Sequence, residues 1–179
     1  MHLELSALEA GLAGIRQSPA QVGTVDLIVR RPATDVRETL AEAHLDGTAG
    51  LVGDRWARDD ADPVRQIAVM NARVAALLAQ SPERWSLAGD QLYVDLDLSE
   101  ENVPPGTRLA LGTAVLEVTA EPHRGCKKFA ARFGPDALRF VNSPVGYAMH
   151  LRGINTRVVQ GGMVRAGDAI RRQRLSPGS

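Results

Sequence analysis

The sequence predicts an α+β chain, mainly β: a twisted β-barrel or folded sheet with peripheral helices. Three observations carry that prediction. Short apolar runs bounded by glycine, proline and asparagine dominate the second half. Helical spacing is confined to short segments. The chain has 179 residues, 44% hydrophobic and 23% charged, which fits one globular domain. With no internal repeat and no linker, the organisation expected is a helical extension over 1–24, a barrel over 25–172 and a flexible tail over 173–179.

Residues 3–16 place Leu5, Leu8, Leu12 and Ile15 at helical spacing. Gly11 and Gly14 weaken that helix, and Ser18-Pro19 ends it. Val25 to Arg30 is β-rich and stops before Pro32. Asp35 to Leu45 reads as a helix, with Asp35 and Glu38 in capping-box spacing and His44 near its end. A glycine-punctuated stretch to Trp56 and an acidic loop, Asp59 to Pro63, follow. Gln66 to Met70 reads as a buried strand, and Asn71 caps a helix over 72–80. Leu92 to Leu98 alternates as a half-buried strand does. Arg108–Leu111 and Ala114–Ala120 form a hairpin around Gly112-Thr113. Cys126–Phe133 and Asp136–Val141 read as helical, and short strands occupy 157–160, 163–165 and 169–171.

Composition excludes several classes. Aliphatic runs such as Ile67 to Met70 fall far short of the ~20 residues that span a bilayer, so no membrane partner is expected. The first residues carry acids and no basic n-region, so a cytoplasmic location is expected. One cysteine, Cys126, rules out an internal disulfide and a multi-cysteine zinc site. Nucleotide-loop, hydrolase-elbow and H-E-x-x-H motifs are absent. Net charge is zero but unevenly spread. Residues 1–120 hold 10 basic and 18 acidic side chains, whereas residues 121–179 hold 11 and 3. A basic C-terminal third points to an anionic small molecule; without a stacking motif, nucleic acid is not expected.

Cys126 is the most informative position. It opens a predicted helix, where the dipole favours a thiolate, and stands in His123-Arg124-Gly125-Cys126-Lys127-Lys128. Such a thiolate can attack carbon or sulfur, carry a persulfide or bind a soft metal. A buried, inert thiol is the alternative. His123 suits a general base or a ligand-orienting group, Arg152 and Asn155 a phosphate or a heterocycle edge. Trp56 suits core closure better than ligand stacking. Asp59, Asp60 and Asp62 lack EF-hand spacing and read as a solvated loop.

The order of several motifs resembles the MOSC domain family. They are Gly50-Leu51-Val52-Gly53-Asp54-Arg55, Val64-Arg65-Gln66-Ile67 and Val103 to Gly112. Pro122-His123-Arg124-Gly125-Cys126 and Gly161 to Asp168 complete the set. The likeness covers about residues 25–172 and is that of a free-standing bacterial member. It implies a MOSC-type β-barrel and a functional Cys126. Many relatives carry Pro-Cys where this chain has Gly125-Cys126, and Gly-Glu-Asn where it has Gly89-Asp90-Gln91. The resemblance implies binding of the molybdenum cofactor (molybdopterin) and reduction of N-hydroxylated substrates. Cys126 would ligate the metal, with His123 in a catalytic role. Arg55, Gln91, His123, Arg152 and Asn155 would hold pterin or phosphate, and Lys127 and Lys128 would add field. With no flavin or iron–sulfur motif, an external electron donor is implied. The rival readings are a persulfide carrier served by a cysteine desulfurase, and a non-enzymatic ligand-binding barrel.

Overall fold

The computed structural model describes residues 1–174. It begins with helices α1 (Leu5–Ala10) and α2 (Leu12–Ile15), then strands β1 (Val22–Arg30), β2 (Glu38–Leu40), β3 (Glu42–Asp46) and β4 (Gly50–Leu51). Helix α3 (Trp56–Asp59), β5 (Ile67–Asn71), α4 (Ala72–Ala79) and β6 (Leu92–Asp95) come next. The hairpin β7 (Arg108–Leu111) and β8 (Ala114–Val118) precedes α5 (Lys127–Phe133), α6 (Pro135–Val141) and α7 (Pro144–Ala148). Strands β9 (Ile154–Gln160), β10 (Gly162–Arg165) and β11 (Ala169–Gln173) follow.

A closed barrel runs β1-β11-β7-β8-β9-β5-β6 and returns to β1. Its one parallel pair is β5–β6, and α4 supplies the crossover between them. β2 extends the rim from β1, and β10-β3-β4 forms a separate small sheet. Closure occurs where Val22, Gly23 and Thr24 face Arg171, Ile170 and Ala169. A Cβ on Gly23 would lie 1.7 Å from the Asp95 carbonyl oxygen, so glycine lets β1 thread between β11 and β6.

Two apolar layers explain the strand patterns. Inside the barrel lie Val25, Ile28, Val69, Val94, Leu109, Leu116 and Ile170. Outside it, α1, α2 and α4 to α6 cover Val29, Met70 and Tyr93 with Leu8, Ile15, Val74, Phe129 and Phe140. Strand β5 is therefore buried on both faces, which is why Ile67 to Met70 is an unbroken apolar run. Strand β8, none of whose residues belongs to the outer helical cluster, alternates buried with half-buried positions.

Three expectations change. The segment Asp35–Leu45 is not a helix: it forms β2 and β3, because Ala43 and Leu45 alternate inward and β3 pairs with β10. Asp35 has φ 60°, incompatible with a helix cap, and His44 is a strand residue opposite Met163. Residue Tyr93, read as the polar face of an alternating strand, is fully buried under the outer helices. The N-terminal helices, whose packing the sequence leaves open, join the outer core through Leu8 and Ile15, and the Leu5 N–H donates to Asp136. Finally, β11 runs to Gln173, inside the expected tail; the part of that tail from residue 175 onward lies outside the described residues.

Candidate functional site

A cationic cleft opens where the end of β1, the turn before β6, the start of α5 and the start of β9 converge. It has two adjoining lobes that share Arg31, Arg55, Ala88, Gly89 and Arg152. The smaller, roughly 100 Å³, contains Cys126 with Arg37, Lys128 and Arg132. The larger, roughly 610 Å³, contains Gln91, His123, Arg124 and Asn155.

Asp90 is the electrostatic centre. Its carboxylate is fully buried and accepts from Arg152 Nη1 at 2.6 Å and from His123 Nε2 at 2.8 Å. Burial pushes the carboxyl up, but Arg152 and His123 outweigh it and hold Asp90 below its ordinary range. Burial and the Arg152 charge hold His123 below its ordinary value, so the ring is neutral near pH 7. With an ionised acceptor on Nε2, the proton resides there, and Nδ1 is the free acceptor. Gly153, at φ 120°, lets β9 approach: a Cβ would lie 2.6 Å from the Val69 oxygen and 3.1 Å from His123. Arg152 also donates to the Ala88 carbonyl at 2.7 Å and lies 5.0 Å over the Phe129 ring.

A second buried carboxylate repeats the design. Asp54 takes a bidentate pair from Arg31, at 2.8 and 3.0 Å, while Arg31 Nη1 donates to the Gly89 carbonyl. Both arginines thus bear on the turn that ends in Asp90.

Cys126 is the N-cap of α5 and is exposed. Partial burial raises its thiol, but the Phe129 and Lys128 N–H groups, then Arg152 and Arg132, pull it below 9.0. Asn142, at the end of α6, fixes the approach: it accepts from the Gly125 N–H at 2.9 Å and donates to the Gly125 carbonyl at 3.0 Å.

A family model described as MOSC domain matches residues 63–171. The chain belongs to the MOSC domain family. Similar solved structures include the YuaD protein of Bacillus subtilis, 17% identical with a TM-score of 0.64, covering 86% of this chain and 97% of that one. YiiM of Escherichia coli is 22% identical with a TM-score of 0.57, covering 87% and 73%. YiiM of Geobacillus stearothermophilus is 16% identical with a TM-score of 0.55, covering 89% and 76%. At these identities the likeness shows the fold. No curated protein matches this MOSC chain.

The MOSC barrel gathers most of the residues singled out in the sequence. Arg55, Gln91, His123, Arg152 and Asn155 share the larger lobe; Cys126 and Lys128 share the smaller one with Arg55 and Arg152. Lys127, on the first turn of α5, is exposed and lines neither lobe. Gln91 is occupied: its oxygen accepts from the Ala68 N–H at 2.8 Å and its nitrogen donates to the Gln66 carbonyl. Asn155 donates to the Glu121 and Pro122 carbonyls, so it positions the segment leading to His123. His123 bonds Asp90 and not Cys126. Trp56 is buried, with Nε1 donating to the Asp62 carbonyl. The acidic loop is spent on protein contacts: Asp60 pairs with Arg65 at 2.9 Å, and Asp62 caps the turn at Val64.

Sequence reasoning missed Arg31, Arg37, Arg132 and Asn142, noted Asp54 only within a family motif, and noted Asp90 only as a departure from the family pattern. For Asp90 a signal existed, a lone carboxylate entering the apolar run Leu92 to Val94. For Asn142 there was none, since its partner is 17 residues away.

Proposed function

We propose that this MOSC protein binds the molybdenum cofactor through Cys126 and reduces N-hydroxylated substrates. The observation that carries the reading is an exposed thiol, biased toward thiolate, on a cleft walled by Arg31, Arg55 and Arg152. The donor set fits the group. Among the described residues no cluster of three or more His, Cys, Asp or Glu could hold a bare metal ion. A metal that arrives with organic sulfur ligands asks the protein for one soft donor, which Cys126 supplies. The larger lobe has room for a flat heterocycle, and its arginines suit a phosphate.

When bound, the cofactor would supply two-electron exchange at the metal. The chain's own residues do the rest. Cys126 is the protein ligand. Arg55 and Arg152 hold phosphate, and Asn155 sets the wall of the pterin lobe. Gln91 shapes the floor through its bonds to β5 rather than by a free amide. His123, fixed on Asp90, accepts a hydrogen bond or a proton at Nδ1. Electrons come from an external donor protein.

The test is molybdenum and pterin content of protein from a cofactor-competent host, beside Cys126→Ala. Metal near one per chain, lost in the variant, is the expected result. No molybdenum and no pterin in the wild-type protein, with no uptake of added cofactor, overturns the reading. The exposed, low-lying thiol also suits a persulfide carrier. A persulfide on Cys126 after incubation with a cysteine desulfurase, in metal-free protein, would favour that second reading.

A further inference from the structure

The small lobe contains more positive charge than the fold neutralises. Arg31 and Arg152 are matched by Asp54 and Asp90. Arg37, on the segment between β1 and β2, is not: its Nε is buried with no hydrogen-bond partner among the described residues. Its neighbour Arg132 donates Nη1 to the Leu87 carbonyl at 2.9 Å, and its one ion pair among the described residues is to Asp35, at 3.4 Å; that carboxylate is 72% exposed, so the pair is weak. Lys128 joins them with no ion pair among the described residues. Burial and the Arg132 charge both act against the Arg37 cation. Behind them Tyr93 is fully buried, and its hydroxyl has no partner either. A small lobe lined by two guanidinium groups and an ammonium, with only one exposed carboxylate set against them, is complementary to an anion. The lobe is roughly 100 Å³, against the ~10–15 Å³ that holds one water, so it admits a group of a few heavy atoms.

We infer that Arg37, Arg132 and Lys128 form an oxyanion subsite beside Cys126, which takes a phosphate or carboxylate group of the substrate. The substrate class is therefore anionic. The substrate half of this inference rests on the molybdenum reading, because that reading assigns the larger lobe to the cofactor. The anion site itself stands on the arginines alone. A guanidinium presents two parallel N–H groups to such an oxyanion, which a lysine does not.

The experiment is calorimetric titration of inorganic phosphate, at constant ionic strength set with chloride, into cofactor-loaded and cofactor-free protein. Saturable binding to both forms is expected. Arg37→Ala should weaken it about 10- to 100-fold, the range for one charge-assisted hydrogen bond. Arg37→Lys, which keeps the charge and loses the fork, should also weaken it, and Lys128→Ala on the exposed rim serves if Arg37→Ala does not fold. No binding to the cofactor-free protein overturns the subsite, as does binding that Arg37→Lys and Lys128→Ala leave unchanged. Binding to the cofactor-free form alone overturns the substrate assignment, since the cofactor's own phosphate then fills the lobe. Failure of the cofactor reading appears separately, as protein without molybdenum whose phosphate binding still depends on Arg37.

Discussion

Replacing Asp90 with asparagine removes one negative charge from a fully buried position and changes the side-chain shape little. Arg152, whose side chain is only 10% exposed, then keeps the Ala88 carbonyl and loses its counter-charge. Breaking a buried pair from one side costs about 3–5 kcal/mol. The surviving Ala88 bond argues for the lower end, about 3 kcal/mol, or a fall in Tm of roughly 6–12 °C for a chain of this size. Urea and thermal unfolding measure it directly. Asp90→Asn/Arg152→Met removes both charges, so it should be more stable than the sum of the two single losses. A loss below about 1 kcal/mol in Asp90→Asn, or strict additivity in the double variant, refutes the argument that Asp90 is the electrostatic centre.

The same cluster sets a pH dependence. The folded Asp90 carboxyl lies below 3.8, so its contribution is present above 3.8 and is lost as pH falls through the folded value. The folded His123 ring lies below 6.5, so below that pH the unfolded chain takes up a proton that the folded chain refuses. Stability therefore falls as pH drops from about 6.5 toward the folded value, by up to about 1.4 kcal/mol per pH unit from His123. In His123→Gln that component disappears. Equal slopes in wild type and variant, by urea titration across pH 5 to 7, would sink the assignment.

Two further outcomes are expected. Iodoacetamide should alkylate Cys126 with a midpoint below 9.0, and Arg132→Ala should slow the reaction at neutral pH roughly a few-fold; a faster or unchanged rate counts against the cationic account of the thiolate. Gly153→Ala meets both a positive φ and the Val69 carbonyl, and should lose at least about 1–3 kcal/mol with its side chain pressed on His123. A melting point unchanged within about 2 °C would contradict it.

Elements whose periodicity is paid out locally were legible in the chain. The Asn71 cap, the β7–β8 hairpin at Gly112-Thr113 and the start of α5 at Cys126 depend on neighbours a few residues away. Asp35–Leu45 was misread because capping-box spacing is also satisfied by chance, and only pairing of β3 with β10 decides its strand state. Tyr93 looked like an outward position because alternation records one covered face, whereas here a second layer covers the other.

By itself, the sequence determined the β-rich class, the single thiol, its basic neighbours and the ordered motifs of the MOSC family. Those are properties of local pattern and composition. The tertiary structure decided which charges meet. Arg31, Arg37 and Arg55 come from the net-acidic stretch 1–120, yet they face Cys126 from the basic stretch 121–179, because the end of β1 and the start of α5 converge on one cleft. It also turned His123 toward Asp90 rather than Cys126, and gave Gln91 and Asn155 to backbone partners. Coulomb and hydrogen-bond energies depend on separation in space and on burial, and the fold sets both, bringing residues such as Asp35 and Arg132, 97 positions apart in the chain, within 3.4 Å.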